Sequence, residues 1–223
     1  MRSGKLGMWG VVACVVALVA APLAYADTES AVRGVLKTMT GPNTVANPRT
    51  LTTPEGYLRS LAAPSGNSFQ PSSSAKSSGG QDTVAKSFLQ EHANAFGIRS
   101  GVSFTTNRVR TENARAYIKL DQVYKSIPVF GAQAIVQMKP DGGVVSILSD
   151  IMRDAPRIYS GELSLTPTLN AVEAKIGASA VLEGEHPNDS FETNQPNLFI
   201  YVPSVVGATG QAKLVYAVEV HSL

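Results

Sequence analysis

The stretch that decides the fold reads LDQVYKSIPVFGAQ and runs from Leu120 to Gln133. Its second half alternates in the way that is typical of a β-strand with two distinct faces. Pro128 cannot donate a backbone hydrogen bond, so we expect it at the start or the edge of a strand. Gly131 lies between bulky neighbours and indicates a bulge or a close backbone approach. Strict alternation predicts one face with Val129, Gly131, Gln133 and Ile135, and an opposite face with Phe130, Ala132, Ala134 and Val136.

A helix and four strands are predicted around this stretch. Apolar residues recur at helical spacing from an N-cap at Asp82 to a stop at Gly97. Alternating patterns then predict four strands. The first begins at 102–104, and the other three extend over 116–124, 129–138 and 144–148. The turn at 140–143 reads PDGG, which favours a hairpin. Residues 81–152 are therefore interpreted as one α+β unit, a helix followed by an antiparallel meander.

A second helix-then-strands pattern occupies residues 153–223. Thr166 to Thr168 is interpreted as the cap of a helix that continues through Ile176. Two apolar segments, 198–202 and 213–220, then predict strands that are separated by a turn containing glycine. The order of elements suggests an imperfect repeat of the first unit.

The N-terminal region is typical of an exported precursor. Residues 1–26 are interpreted as a signal peptide, because Arg2 and Lys5 precede an apolar run at 8–23 and small residues favour cleavage after Ala26. The run is shorter than the roughly 20 residues that a membrane span needs. We therefore expect a secreted or periplasmic protein with no stable membrane span once the signal is removed.

Two polar zones separate this signal from the first unit. Residues 27–63 are predicted to be irregular, although Tyr57, Leu58 and Leu61 have the spacing of one helical turn. Residues 64–80 are rich in Ser and Gly and are interpreted as a flexible linker. The expected N-terminal organisation is thus a signal peptide, an irregular pro-segment and a linker.

Charge and cysteine content exclude several classes of function. The chain has 19 basic and 17 acidic residues, and removal of Arg2 and Lys5 with the signal leaves 17 of each. Balanced charge gives no reason to predict nucleic acid as a partner. Cys14 is the single cysteine and lies within the signal, so neither disulfides nor thiolate metal sites are expected in the mature chain. No cofactor site is predicted.

Three segments together resemble the fungalysin/thermolysin propeptide (FTP) domain of zinc metalloprotease precursors. They are the helix at 85–98, the stretch LDQVYKSIPVFGAQ at 120–133, and DGGVVS at 141–146. Less sharply, 162–174 and 214–220 are similar to the PepSY unit that follows this domain in such precursors. The resemblance implies two cystatin-like units, each a helix packed on an antiparallel sheet, and a second unit that is truncated before its closing strand.

The resemblance also implies a partner, the catalytic domain of a thermolysin-like or fungalysin-like metalloprotease, which the module would chaperone and inhibit. Tyr124, Ile127 and Phe130 are interpreted first as core residues. The alternative interpretation is that part of the ridge contacts the partner. The candidate partner-contact or fold-signature residues are Gln122, Tyr124, Ile127, Pro128, Val129, Phe130, Gly131 and Gln133.

The sequence contains no complete catalytic constellation. His92, His186 and His221 are its three histidines, and none belongs to the His-Glu-x-x-His motif that a zinc protease needs. A Gly-x-Ser-x-Gly elbow and a phosphate-binding loop are also absent from the sequence. We therefore predict that the chain is not an enzyme. The chain is expected to be a truncated or split precursor, and the alternative is a free-standing secreted binding or inhibitor protein with a propeptide-like fold.

Overall fold

The structure, a computed structural model, describes residues 21–42, 46–77, 79–153 and 155–222. Most of the predicted signal peptide lies outside these residues. The helices are α1 (Ala21–Lys37), α2 (Ser73–Ser77), α3 (Gln81–Glu91), α4 (Ala93–Phe96), α5 (Pro156–Tyr159) and α6 (Ala171–Glu185). The strands are β1 (Met39–Thr40), β2 (Arg49–Thr52), β3 (Leu58–Ala62), β4 (Ser68–Phe69), β5 (Val102–Glu112), β6 (Arg115–Tyr124), β7 (Ile127–Met138), β8 (Val144–Asp150), β9 (Phe191–Thr193), β10 (Asn197–Tyr201), β11 (Lys213–Ala217) and β12 (Val220–Ser222).

The four strands from β5 to β8 form an antiparallel meander, which confirms the α+β class. The sheet is extended beyond β8 by β3 and β2, and by β4 and β1. On β7, strand β10 pairs in parallel, with Ile200 opposite Val129. Strand β11 then pairs antiparallel with β10 and ends the sheet. Strand β7 therefore has three partners, and the LDQVYKSIPVFGAQ stretch lies where they meet.

One face of the sheet is covered by α3. The apolar stripe of this helix is buried and faces sheet residues such as Ile118, Leu120, Val136 and Ile147, all at most 1% exposed. Gly97 has φ 71° and ends the helical region as predicted. The predicted cap differs, because Gly80 is the N-cap and Asp82 lies in the first turn. The helical pattern of the sequence thus identifies the core face, while the cap lies two residues earlier than predicted.

The N-terminal segment is structured, so the prediction of an irregular 27–63 is wrong. It contains most of α1, and β2 and β3 form a hairpin whose second strand pairs with β8. Leu58 and Leu61 are fully buried on β3 rather than on a helical turn. Breaker pairs such as Asn47-Pro48 therefore mark the turns between short elements.

The segment 64–80 is also tied to the fold, in contrast to the predicted flexible linker. Asn67, Ser68 and Phe69 are at most 2% exposed. The Nζ of Lys139 donates to the carbonyl of Gly66 at 2.7 Å. One buried aromatic ring and short strand pairing outweigh the polar composition, which by itself indicates disorder.

The second predicted unit differs from a helix packed on its own sheet. Its strands β10 and β11 join the central sheet through β7, while β9 and β12 form a separate pair. Helix α6 has no buried residue, and Val172, Ile176 and Val181 are more than 60% exposed. The N-cap of the helix is Asn170, whose side chain forms a capping box with Glu173, and it lies two residues after the predicted cap at Thr166 to Thr168.

The predicted strand at 213–220 is divided into β11 and β12. Within the described residues, no helix is long and apolar enough to span a membrane.

Candidate functional site

A large bulge interrupts the pairing of β6 with β7. Asp121 lies opposite Gln133 and Val123 lies opposite Pro128, so an advance of two residues along β6 corresponds to five residues along β7. Gly131 sits inside the bulge with φ 71°, a conformation that glycine adopts without strain. The bulge and the position of Pro128 near the strand start agree with the sequence interpretation.

The bulge changes which side chains share a face. The core face of β7 includes Ala132, Ala134 and Val136, which the sequence predicts to share one face. Val129 is also buried, however, and Phe130 is exposed. The strict alternation predicted from the sequence therefore assigned Val129 and Phe130 to the wrong faces. The extra residues of the bulge shift the side-chain phase by one position, because a strand has a period of two.

Gln122 is fully buried beside the bulge and is bound to the main chain of Met152. Its Nε2 donates to the Met152 carbonyl at 3.1 Å, and its Oε1 accepts from the Met152 N–H at 2.7 Å. A buried amide with both ends satisfied contributes to specificity as well as stability. This signature residue thus fixes the chain that leaves β8.

Tyr124, Ile127 and Val129 belong to the core side of the stretch. Tyr124 and Val129 are at most 4% exposed, and Ile127 is half-buried against the same cluster. The Tyr124 ring makes an edge contact with Tyr159, with centroids 5.7 Å apart. Two of the three residues that the sequence predicts as core, Tyr124 and Ile127, therefore have that position.

Phe130, the third, is 42% exposed and forms a surface cluster with residues of β10. Its ring centroid lies 5.7 Å from that of Phe199 and 6.2 Å from that of Tyr201. A Cβ on Gly131 would lie 3.1 Å from a methyl group of Val206, so glycine allows this neighbouring residue to approach. We call Phe130, Phe199, Tyr201 and Val206 the aromatic cluster.

The sheet face opposite α3, here called the outer face, is open to solvent. Ile135 on β7 is paired with Leu148 on β8, and the row continues through Ser60 on β3 to Leu51 on β2. Ile135, Leu148 and Leu51 are 41%, 46% and 53% exposed. Gln133 lies on the same face opposite Asp150. Exposed apolar residues arranged in a row mark a surface that is suited to a protein partner.

The side chain of Arg153 links α4, β3 and β8. Its guanidinium donates to the carbonyls of Phe96, Leu58, Ser149 and Ile151, at distances from 2.7 to 3.3 Å. Burial lowers the pKa of Arg153 to about 10. The sequence interpretation did not identify this residue, because a single arginine between two units carries no motif.

A groove separates α6 from β10 and β11. It has a volume of about 820 Å³ and is lined on the helix side by Glu173, Ala174, Gly177 and Ala178. Three of these residues, Ala174, Gly177 and Ala178, have small side chains or none, which can bury little apolar area against the sheet.

Two titratable side chains on α3 and at its end have shifted pKa values. The hydrogen bond from Thr106 lowers the pKa of Asp82, and Lys86 acts in the same direction. Burial lowers the pKa of His92, which makes an edge contact with Phe88, with ring centroids 4.6 Å apart. Among the described residues, no group of three or more His, Cys, Asp or Glu side chains is placed to hold a metal ion.

Comparison with known proteins assigns the central strands to a propeptide class. Residues 105–151, from β5 to the end of β8, match the family described as the Fungalysin/Thermolysin Propeptide Motif. This confirms the resemblance inferred from LDQVYKSIPVFGAQ for that part of the chain. These residues therefore carry the motif of a non-catalytic propeptide domain.

One relative is similar over a longer part of the chain. A bacillolysin of Brevibacillus brevis is 30% identical over 148 residues, which cover 64% of this chain and 27% of the relative. The chain thus matches a relative of which it spans little more than a quarter.

Proposed function

We propose that the chain is a propeptide-type module that binds the catalytic domain of a thermolysin-like or fungalysin-like metalloprotease. It would assist folding of that domain and inhibit it, either within one precursor or in trans, without contributing catalysis. The observation that carries this proposal is the propeptide motif at 105–151, together with a relative named as a bacillolysin. Residues 153–223 would form the accompanying PepSY-like unit.

The outer face is the surface that we assign to the protease. Its apolar row consists of Ile135, Leu148 and Leu51, and the aromatic cluster with Phe130 lies nearer the start of β7. Interfaces between proteins have an apolar, aromatic-rich centre with a polar rim. Gln133, Asp150 and Arg59 supply polar groups beside the row, and Arg59 forms an ion pair with Asp150 at 2.7 Å.

Binding of this kind explains both proposed activities. A module that binds the native catalytic domain better than its unfolded chain shifts the folding equilibrium towards the native state. The same complex inhibits the enzyme for as long as the bound module covers its substrate cleft. Removal of the module by proteolysis would then release activity.

A refolding experiment tests this function. A denatured thermolysin-type catalytic domain, such as that of the matched bacillolysin, is diluted with and without the module. We expect recovered activity to rise several-fold after the module is digested, and activity to be inhibited while it is intact. An unchanged yield together with no inhibition at micromolar module would refute the proposal and favour the free-standing binding protein.

We further propose export, with cleavage after Ala26. In the structure Ala26 lies within α1, and cleavage there would leave a helix that begins near Asp27 and ends at Lys37. Asp27 and Glu29 would then occupy the first turn, where negative charge interacts favourably with the helix dipole. Mass determination of the exported chain checks this position, and a mass that retains residues 1–26 would contradict it.

A further inference from the structure

A concave pocket at one end of the central sheet is lined by three cationic side chains. Arg99 follows α4, Lys125 lies in the β6–β7 turn and Arg153 follows β8. The pocket has a volume of about 540 Å³, and none of the described residues that line it is acidic. In a chain with nearly balanced charge, this is a local excess of positive charge that attracts anions.

The floor of the pocket is aromatic. Tyr124 and Tyr159 meet edge to face, with ring centroids 5.7 Å apart, and Pro156 lies beside them. The Nζ of Lys125 is 5.4 Å from the centroid of the Tyr124 ring. A cationic rim over an aromatic floor is suited to a ligand that has a negative end and an apolar body.

Within the part of the chain that the structure describes, the charge of Arg153 is balanced by dipoles rather than by a close anion. Its hydrogen bonds to these residues go to main-chain carbonyls and the Ser149 hydroxyl. Among the described residues, no carboxylate lies within 4.0 Å of it, and Asp150 and Glu55 act only at longer range. A partly buried cation of this kind gains from an anion that enters the pocket.

Lys125 lies in the two-residue turn between β6 and β7. Lys125 has φ 45° and Ser126 has φ 71°, the pair of positive angles that a tight β-hairpin turn requires. The turn places the lysine at the rim of the pocket.

We infer that this pocket, with Arg99 and Lys125 at its rim and the partly buried Arg153 in its wall, binds a carboxylate that is attached to an apolar group. The C-terminal carboxylate of a peptide that ends in an apolar residue has this chemistry. An inorganic phosphate would meet the cations but would leave the aromatic floor without a contact. The inference does not depend on the proposed function, because it rests on the pocket alone.

Titration of the full chain, followed by NMR at the backbone amides of Gly101 and Lys125, tests the site. Four probes are compared: N-acetylphenylalanine, its uncharged amide, N-acetylaspartamide with a side-chain carboxylate, and inorganic phosphate. We expect saturable binding of N-acetylphenylalanine with a millimolar Kd, and binding of the amide and of N-acetylaspartamide at least about tenfold weaker. Equal binding of the amide, or tighter binding of phosphate, would overturn the inference. Equal binding of N-acetylaspartamide would overturn the requirement for an apolar group.

Substitutions locate the site. Lys125→Gln and Arg99→Gln are each expected to weaken binding of N-acetylphenylalanine about tenfold, because each removes one charge from the rim. Lys175→Gln removes an exposed charge from α6 and serves as the matched control, with no expected effect. Unchanged affinity in both rim variants, with unchanged melting curves, would refute the assignment.

Discussion

Gln122 and Met152 are joined by two hydrogen bonds, from Nε2 to the Met152 carbonyl at 3.1 Å and from the Met152 N–H to Oε1 at 2.7 Å. The two residues lie thirty positions apart, and the Gln122 side chain is fully buried. This pair fastens the segment after β8 to the middle of the propeptide-motif strands. Gln122 lies beside the bulge and belongs to the stretch LDQVYKSIPVFGAQ. Its bonds to Met152 therefore connect that stretch to the second half of the chain.

Replacement of this glutamine tests its structural role. Gln122→Met keeps a similar volume but leaves the buried N–H and carbonyl of Met152 without partners, at about 1–3 kcal/mol each. We expect the free energy of unfolding to fall by about 2–4 kcal/mol in urea denaturation. Gln133→Met, on the outer face, serves as the control and should change stability by less than about 0.5 kcal/mol. Equal effects of the two substitutions would contradict the role of the pair.

Arg153 should be the most important charged residue for stability. Arg153→Met removes hydrogen bonds to four carbonyls that belong to β3, α4, β8 and the segment after it. We expect a loss of at least about 3 kcal/mol, because partly buried carbonyls remain unpaired. Arg59→Met breaks only an exposed ion pair with Asp150 and should cost less than about 1 kcal/mol. Thermal unfolding of both variants checks the difference, and a smaller loss for Arg153→Met would be inconsistent with the structure.

The segment 64–80 provides a test of structure against composition. Phe69 is fully buried within it, and removal of such a side chain costs about 3–5 kcal/mol. Phe69→Ala should therefore destabilise the whole domain in urea unfolding and expose 64–80 to limited proteolysis. Ser65→Ala, on an exposed residue of the same segment, should be neutral. A stable Phe69→Ala variant would restore the interpretation of this segment as a flexible linker.

His92 gives the fold a dependence on pH. Burial lowers its pKa below the ordinary value of 6.5, and the charge of Glu91 opposes part of that shift. The unfolded chain therefore binds a proton more readily, so the stabilisation is complete above pH 6.5 and is lost as the pH falls below it. Urea midpoints at pH 7.5 and pH 5 should differ more for the native chain than for His92→Gln. Identical pH profiles would show that His92 does not contribute.

The helix α3 and the strands β5 to β8 are the part of the fold that short sequence patterns predict. The amphipathic stripe of α3, the meander from β5 to β8 and the PDGG turn are encoded by periodicity and turn chemistry within short windows. The motif in LDQVYKSIPVFGAQ adds the family, since its residue types are unusual in combination. Even the bulge at Gly131 is predictable, because a glycine between bulky strand residues typically marks a bulge or a close backbone approach.

The remaining features depend on contacts between distant segments. The number of extra residues in the bulge decides which face of the sheet Val129 and Phe130 occupy. This number cannot be derived from the alternation of apolar and polar residues. The aromatic cluster needs β10 beside β7, a pairing of residues about seventy positions apart. Phe69 is buried because the sheet has space for it, although its neighbours are polar. Arg153 is identified only once the carbonyls around it are in place.

The proposed function requires that the outer face binds a metalloprotease catalytic domain. Leu148→Asp and Ile135→Asp place charge in the exposed apolar row, while Val109→Asp changes a residue of similar exposure, 48%, on the opposite face. The opposite facing of Val109 follows from its pairing with the buried Ile118. Melting curves first establish that all three variants fold.

The most direct measurement is the affinity of the chain and these variants for a purified thermolysin-type catalytic domain, by surface plasmon resonance or calorimetry. We predict that the unmodified chain and Val109→Asp bind with similar Kd values. Leu148→Asp and Ile135→Asp should each weaken binding at least about tenfold, because a charge is buried in an apolar interface. Equal affinity for all four proteins, or no binding by any of them, would contradict the account.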